Sequence, residues 1–72
     1  MFIFGENLKR LRKDKCLSQK QLGEAISASE RGIQNYECGY RKPAYDMLIA
    51  IADYFDVSID YLVGRSDDPE RH

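Results

Sequence analysis

LSQKQLGEAISASERGIQNYECG, Leu17 to Gly39, divides into two short helices and the corner between them. Ser18 is placed as an N-cap, and Gln21 three residues later completes a capping box. Leu17 and Leu22 stand at the N′ and N4 positions of a hydrophobic staple, so three local signals agree on where the helix begins. Leu22, Ala25 and Ile26 then form its predicted buried face at the i, i+3, i+4 spacing. Ser27 and Ala28 leave room only for a tight corner. Ser29 offers a second N-cap, for a helix that turns Ile33 and Tyr36 inward, and Gly39 ends it as glycine does where φ must be positive.

Two helices joined by so short a turn have the shape that sets a second helix into the major groove of DNA. With Ile33 and Tyr36 inward, Glu30, Arg31, Gln34 and Asn35 face outward. Arginine pairs with guanine, asparagine or glutamine with adenine, and glutamate accepts from cytosine. The exposed set is chemically fit to read bases, and equally it is what an ordinary solvated helix face looks like.

Seventy-two residues make one small domain, and with 43% apolar residues it is expected to be globular. The net charge of -1 argues against a uniformly basic nucleic-acid binder, but the charge is unevenly spread. Residues 1–42 hold nine Lys/Arg against five Asp/Glu, a balance of +4, whereas residues 43–72 hold two against seven, a balance of -5. A polyanion is therefore steered to the first half.

Two cysteines 22 positions apart and a histidine at the last position, His72, make no metal-ligand set. Two free thiols are expected, and no metal or cofactor. The apolar start MFIF is four residues long and leads into a charged helix, too short for a signal peptide or a membrane span. A cytoplasmic location is the expectation. No Ser/His/Asp or Cys/His set and no phosphate-binding glycine loop suggests an enzyme.

Along the rest of the chain, a first helix is predicted from about Gly5 to Lys15, with Phe4, Leu8 and Leu11 on one face and Arg12 at the stripe's edge, where a covered charge needs a partner. After the central pair, the loop to Ala44 carries Tyr40, Arg41, Lys42 and Pro43, with cations suited to phosphate contacts. A fourth helix, about Tyr45 to Phe55, is amphipathic through Leu48, Ile51, Ala52 and Phe55, with Asp46 in its first turn. Ser58 caps a fifth helix running to Val63 and stopped by Gly64, with Val57 and Leu62 as its staple. The fold class is thus all-α with five helices: a domain at 1–64, its central motif at about 19–38, and a charged tail at 65–72 without apolar anchors, expected to fray.

From Leu8 to Gly64, about four-fifths of the chain, these residues resemble the phage-repressor and Cro-type (XRE) helix-turn-helix family of transcriptional regulators. The matching positions are Leu11-Arg12, Leu17-Ser18-Gln19, Leu22, Ala25-Ile26, Ser29, Ile33, Tyr36-Glu37, Gly39, Arg41-Lys42-Pro43, Leu48, Ile51-Ala52, Phe55 and Val57 to Leu62. The resemblance implies that Ser29, Glu30, Arg31, Gly32 and Asn35 face the groove, with Gln34 on their flank. It implies backbone phosphate contacts from Gln19, Gln34, Tyr40, Arg41 and Lys42. Arg12 and Glu37 match a buried ion pair between the first and third helices, structural in role. The implied partner is double-stranded DNA, and the implied function is small-scale transcriptional regulation, with repression by promoter occupancy the simplest mechanism. No small-molecule effector is evident.

This chain departs from the family pattern at Gly32, where serine or threonine is usual, at Glu30, which adds negative charge, and at Ala44, which removes a frequent serine cap. Cys16 replaces a frequent glycine and Cys38 a polar residue; a redox role for either is an alternative to plain free thiols. Because one domain covers one half-site, a homodimer on a pseudo-palindrome is expected. Its candidate contacts are Ile59, Tyr61, Leu62 and Val63, with Phe2 and Ile3, unless these complete the monomer core. The rival function is a protein-interaction module, antirepressor or antitoxin-like, favoured by the net negative charge and Glu30 but having no need of Arg31, Asn35, Tyr40, Arg41 and Lys42 on one outer side.

Overall fold

The computed structural model describes residues 3–65 and 69–70. Five helices follow in order, α1 (Ile3–Asp14), α2 (Gln19–Ile26), α3 (Glu30–Cys38), α4 (Tyr45–Phe55) and α5 (Ile59–Leu62), and no strand occurs among the described residues. None of these helices is long and apolar enough to cross a membrane.

The start signals act as their chemistry requires. Gln21 N donates to Ser18 Oγ at 3.0 Å while Ser18 N donates to Gln21 Oε1 at 2.8 Å, which satisfies two end groups of α2 reciprocally. Ser29 Oγ accepts from Gly32 N at 2.9 Å to open α3, and Ser58 Oγ accepts from Tyr61 N at 3.0 Å to open α5. Ala44 has the extended backbone of a cap but no side chain to serve as one. α1 begins at Ile3, two residues before the predicted Gly5. Phe4 packs edge-to-face on Tyr36 at 6.2 Å, and Ile3 lies against Gly64, so tertiary contact extends this end.

The corner between α2 and α3 turns on Ser27, which is left-handed at φ 60°. The chain closes back so tightly there that a Cβ on Gly23 would stand 2.5 Å from the Ala28 carbonyl oxygen. This approach keeps the two helices of the motif together.

Each helix contributes one large, fully buried side chain: Leu8, Leu22, Ile33, Ile51 and Leu62. Ile26, Ala52, Phe55 and Val57 complete the core. Ala25 is exposed, contrary to its predicted place on the buried face. Leu22 and Ile26, four apart, fix that face, and Ala25 lies at its edge.

The four-residue α5 is too short to hold itself, and α1 holds it. Asn7 Nδ2 donates to the carbonyls of Tyr61 at 3.0 Å and Leu62 at 3.2 Å. Arg10 Nη2 donates to Asn7 Oδ1 and to the Tyr61 hydroxyl, both at 2.8 Å, with its guanidinium 5.8 Å from the Tyr61 ring centre. Beyond Gly64, Ser58 N donates to Pro69 O at 3.0 Å, so the segment expected to fray is tied back at that residue. Residues 66–68, 71 and 72 of that tail, and Phe2 among the dimer candidates, lie outside the described residues.

Candidate nucleic-acid interface

The outer face of α3 is set by what its inner face buries. Ile33 is fully covered, Glu37 is buried, and Tyr36 is half-buried against Phe4. That phase leaves Ser29, Glu30, Arg31 and Gln34 exposed, with Gly32 and Asn35 half-buried between them. Glu30, Arg31, Gln34 and Asn35 therefore share one open side at helical spacing, with Ser29 and Gly32 at the helix start. At Gly32 a Cβ would meet nothing but Ser29 Oγ, at 3.1 Å, so the helix has a notch in its first turn.

The loop after α3 is fastened to that helix by its own backbone. Gly39 takes up φ 82°, and the N–H groups of Tyr40 and Arg41 both donate to the Asn35 carbonyl, at 3.0 and 3.3 Å. Tyr40, Arg41 and Lys42 are all exposed, Tyr40 at 85%. Tyr45, the first residue of α4, is likewise exposed, at 70%, and the sequence reading gave it no role.

Behind the interface lies one buried charge cluster. Arg12 Nε donates to Glu37 Oε2 at 2.6 Å, Nη2 to Glu37 Oε1 at 3.0 Å, and Nη1 to the Leu17 carbonyl at 2.8 Å. The hydrogen bond to Glu37 raises the Arg12 pKa above its ordinary value, burial works against it, and Coulombic attraction to the same carboxylate adds to it. The implied pair is thus present, and its carboxylate has a third donor: Gln19 Nε2 reaches Glu37 Oε1 at 3.2 Å. No buried side-chain nitrogen or oxygen among the described residues lacks a partner.

The expected dimer contacts divide. Leu62 is 0% exposed and belongs to the monomer core, so it offers no surface to a second chain. Ile59, Tyr61 and Val63 are half-buried, and Ile3 and Val63 line a groove of about 390 Å³ whose walls also include Phe4, Tyr36 and Leu48 and the loop residues Arg41 and Lys42. Cys16 and Cys38 are both exposed free thiols. The described residues contain no cluster of His, Cys, Asp or Glu able to hold a metal ion.

Comparison with known proteins bears on the family and the fold. The helix-turn-helix family model matches residues 8–62. Among curated relatives, the uncharacterized HTH-type transcriptional regulator YobD of Bacillus subtilis (strain 168) is 37% identical over 94% of this chain and 61% of its own. YqaE, another such regulator of that organism, is 40% identical over 92% of this chain and 58% of its own. The chain thus spans about three-fifths of the length of these relatives. Among solved structures, a transcriptional regulator from Listeria innocua superposes with a TM-score of 0.80 at 43% identity, covering 85% of this chain and 57% of that one. The P22 c2 repressor, crystallised with a synthetic operator, superposes with a TM-score of 0.84 at 26% identity over 92% of this chain and 100% of that one.

Proposed function

The chain belongs to the phage-repressor and Cro-type (XRE) helix-turn-helix family of transcriptional regulators, and from that membership we propose that it represses transcription by binding a pseudo-palindromic operator as a homodimer. The observation that carries the reading is the single open side of α3. It holds Arg31, Glu30, Gln34 and Asn35 beside a basic loop whose backbone is hydrogen-bonded to the same helix.

In this account α3 lies in the major groove. Arg31 reads guanine, Asn35 reads adenine, Glu30 accepts from cytosine N4, and Ser29, whose oxygen already accepts from Gly32 N, donates its hydroxyl proton. The notch at Gly32 admits a base or a thymine methyl close to the helix backbone. Gln19, Gln34, Tyr40, Arg41 and Lys42 contact phosphates on either side and set the register without reading sequence. The P22 c2 repressor, complexed with an operator, supports the orientation by its likeness of fold.

The second chain of the dimer is met through Ile59, Tyr61 and Val63. Two bound chains on one duplex, counted by sedimentation, are expected. With about four phosphates neutralised per subunit, log affinity should fall against log salt with a slope of about -7. One chain per duplex would remove the dimer from the account, and binding indifferent to salt would remove the phosphate contacts.

A further inference from the structure

Within the DNA-binding reading just given, we infer that Glu37 is a positioning residue for DNA recognition: its buried carboxylate fixes the direction in which Gln19 presents its amide to the duplex. Arg12 and Glu37 account for each other as an ion pair, but the pair does not account for the third hydrogen bond. Oε1 of Glu37 accepts from Arg12 Nη2 at 3.0 Å and also from Gln19 Nε2 at 3.2 Å. Glu37 is itself immobile, since Arg12 grips both its oxygens and Arg12 is held in turn by the Leu17 carbonyl.

An amide has a donor end and an acceptor end, and rotation by half a turn exchanges them. A carboxylate accepts only, so it admits the NH2 end of Gln19 and repels the carbonyl end. With one N–H turned inward, Gln19 keeps one N–H donor and its carbonyl acceptor for the outer side. Gln19 is the first residue of α2 and half-buried, so its chain reaches from the cluster to the surface. A phosphate oxygen takes the free N–H. The donor is oriented before DNA arrives, which removes the cost of choosing between two amide directions on binding.

The experiment is a double-mutant cycle read on DNA affinity, with Gln19→Ala, Glu37→Gln and the double variant measured at a temperature where each is folded by circular dichroism. A neutral amide at position 37 receives either end of Gln19 and no longer dictates its direction. Gln19→Ala should weaken binding about tenfold, the scale of one hydrogen bond to a charged group. Glu37→Gln should weaken it several-fold, and the double variant should bind no worse than Gln19→Ala alone. Losses that multiply, or a Gln19→Ala variant that binds as the parent does, overturn the inference, because Glu37 then acts through the fold only.

If Glu37→Gln does not fold, the parent protein decides by nuclear magnetic resonance. The two side-chain amide protons of Gln19 should be widely separated in shift and slow to exchange, and a pair at free-glutamine positions overturns the inference. Parent protein that binds no duplex is a different result: it removes the proposed function, whereas binding with multiplicative losses removes the positioning role alone.

Discussion

Arg12 is the residue on which the interior turns, a cation gripped by a carboxylate and a carbonyl inside a small core. Arg12→Met leaves Glu37 without its counter-charge. Losing one partner of a buried pair costs about 3–5 kcal/mol, so the melting temperature should fall by more than about 10 °C. A variant that melts with the parent would show that the pair contributes nothing to the fold. The Arg12 pKa is raised on folding, so its contribution is complete at every pH below the ordinary arginine range and is lost only as pH rises through the raised folded-state value. Between about pH 7 and 9 the parent's melting temperature should show no step that Arg12→Met abolishes. Cys16 sits at φ 57°, where a side chain costs about 1 kcal/mol, so Cys16→Gly should raise the melting temperature by a few degrees. An unchanged or lower value would mean that its thiol or Cβ makes compensating contacts. The oddity of Cys16 was legible as a departure from the family's glycine. The third donor on Glu37 was not, because nothing in the spacing of Gln19 and Glu37 says that their side chains meet.

At the scale of elements, three helices begin at serines whose role could be read from the residues that follow them, because a cap is a local device. α4 begins at Ala44, which already has cap geometry, φ -68° and ψ 165°. Ala44→Ser should therefore add about 1 kcal/mol, seen as a higher urea midpoint at unchanged slope; no gain would mean that the start of α4 is otherwise satisfied. α5 is the opposite case. Its cap was legible but its hold on the fold was not, since Asn7, Arg10 and Tyr61 come together across more than fifty positions of chain. Asn7→Ala should loosen α5 selectively, with faster amide exchange at Val63 and Arg65 than in α2. Uniform acceleration across the molecule would instead mark Asn7 as part of the global core. The apolar phase of α2 was misread at Ala25 for a related reason: three residues at helical spacing give the face's direction but not its width.

For the whole molecule, the order of helices and the burial of Leu8, Leu22, Ile33 and Ile51 followed from periodicity and caps, whereas Leu62, expected at a dimer contact, is part of the monomer core. The alternative between a reading surface and a solvated face did not, because the same exposed side chains satisfy both. What favours the reading surface is arrangement: the open side of α3, the loop bonded to its Asn35 carbonyl, and a positive first half set against a negative second half. The most direct test is selection of bound duplexes from a random pool at about 0.15 M salt, where loose phosphate binding is weakened, with the parent and Arg31→Ala run side by side. The parent should select a two-fold symmetric motif with half-sites about one helical turn apart, and Arg31→Ala the same motif relaxed at one position in each half. A folded parent that enriches no motif, or an Arg31→Ala variant that selects every position as the parent does, would contradict base reading by α3.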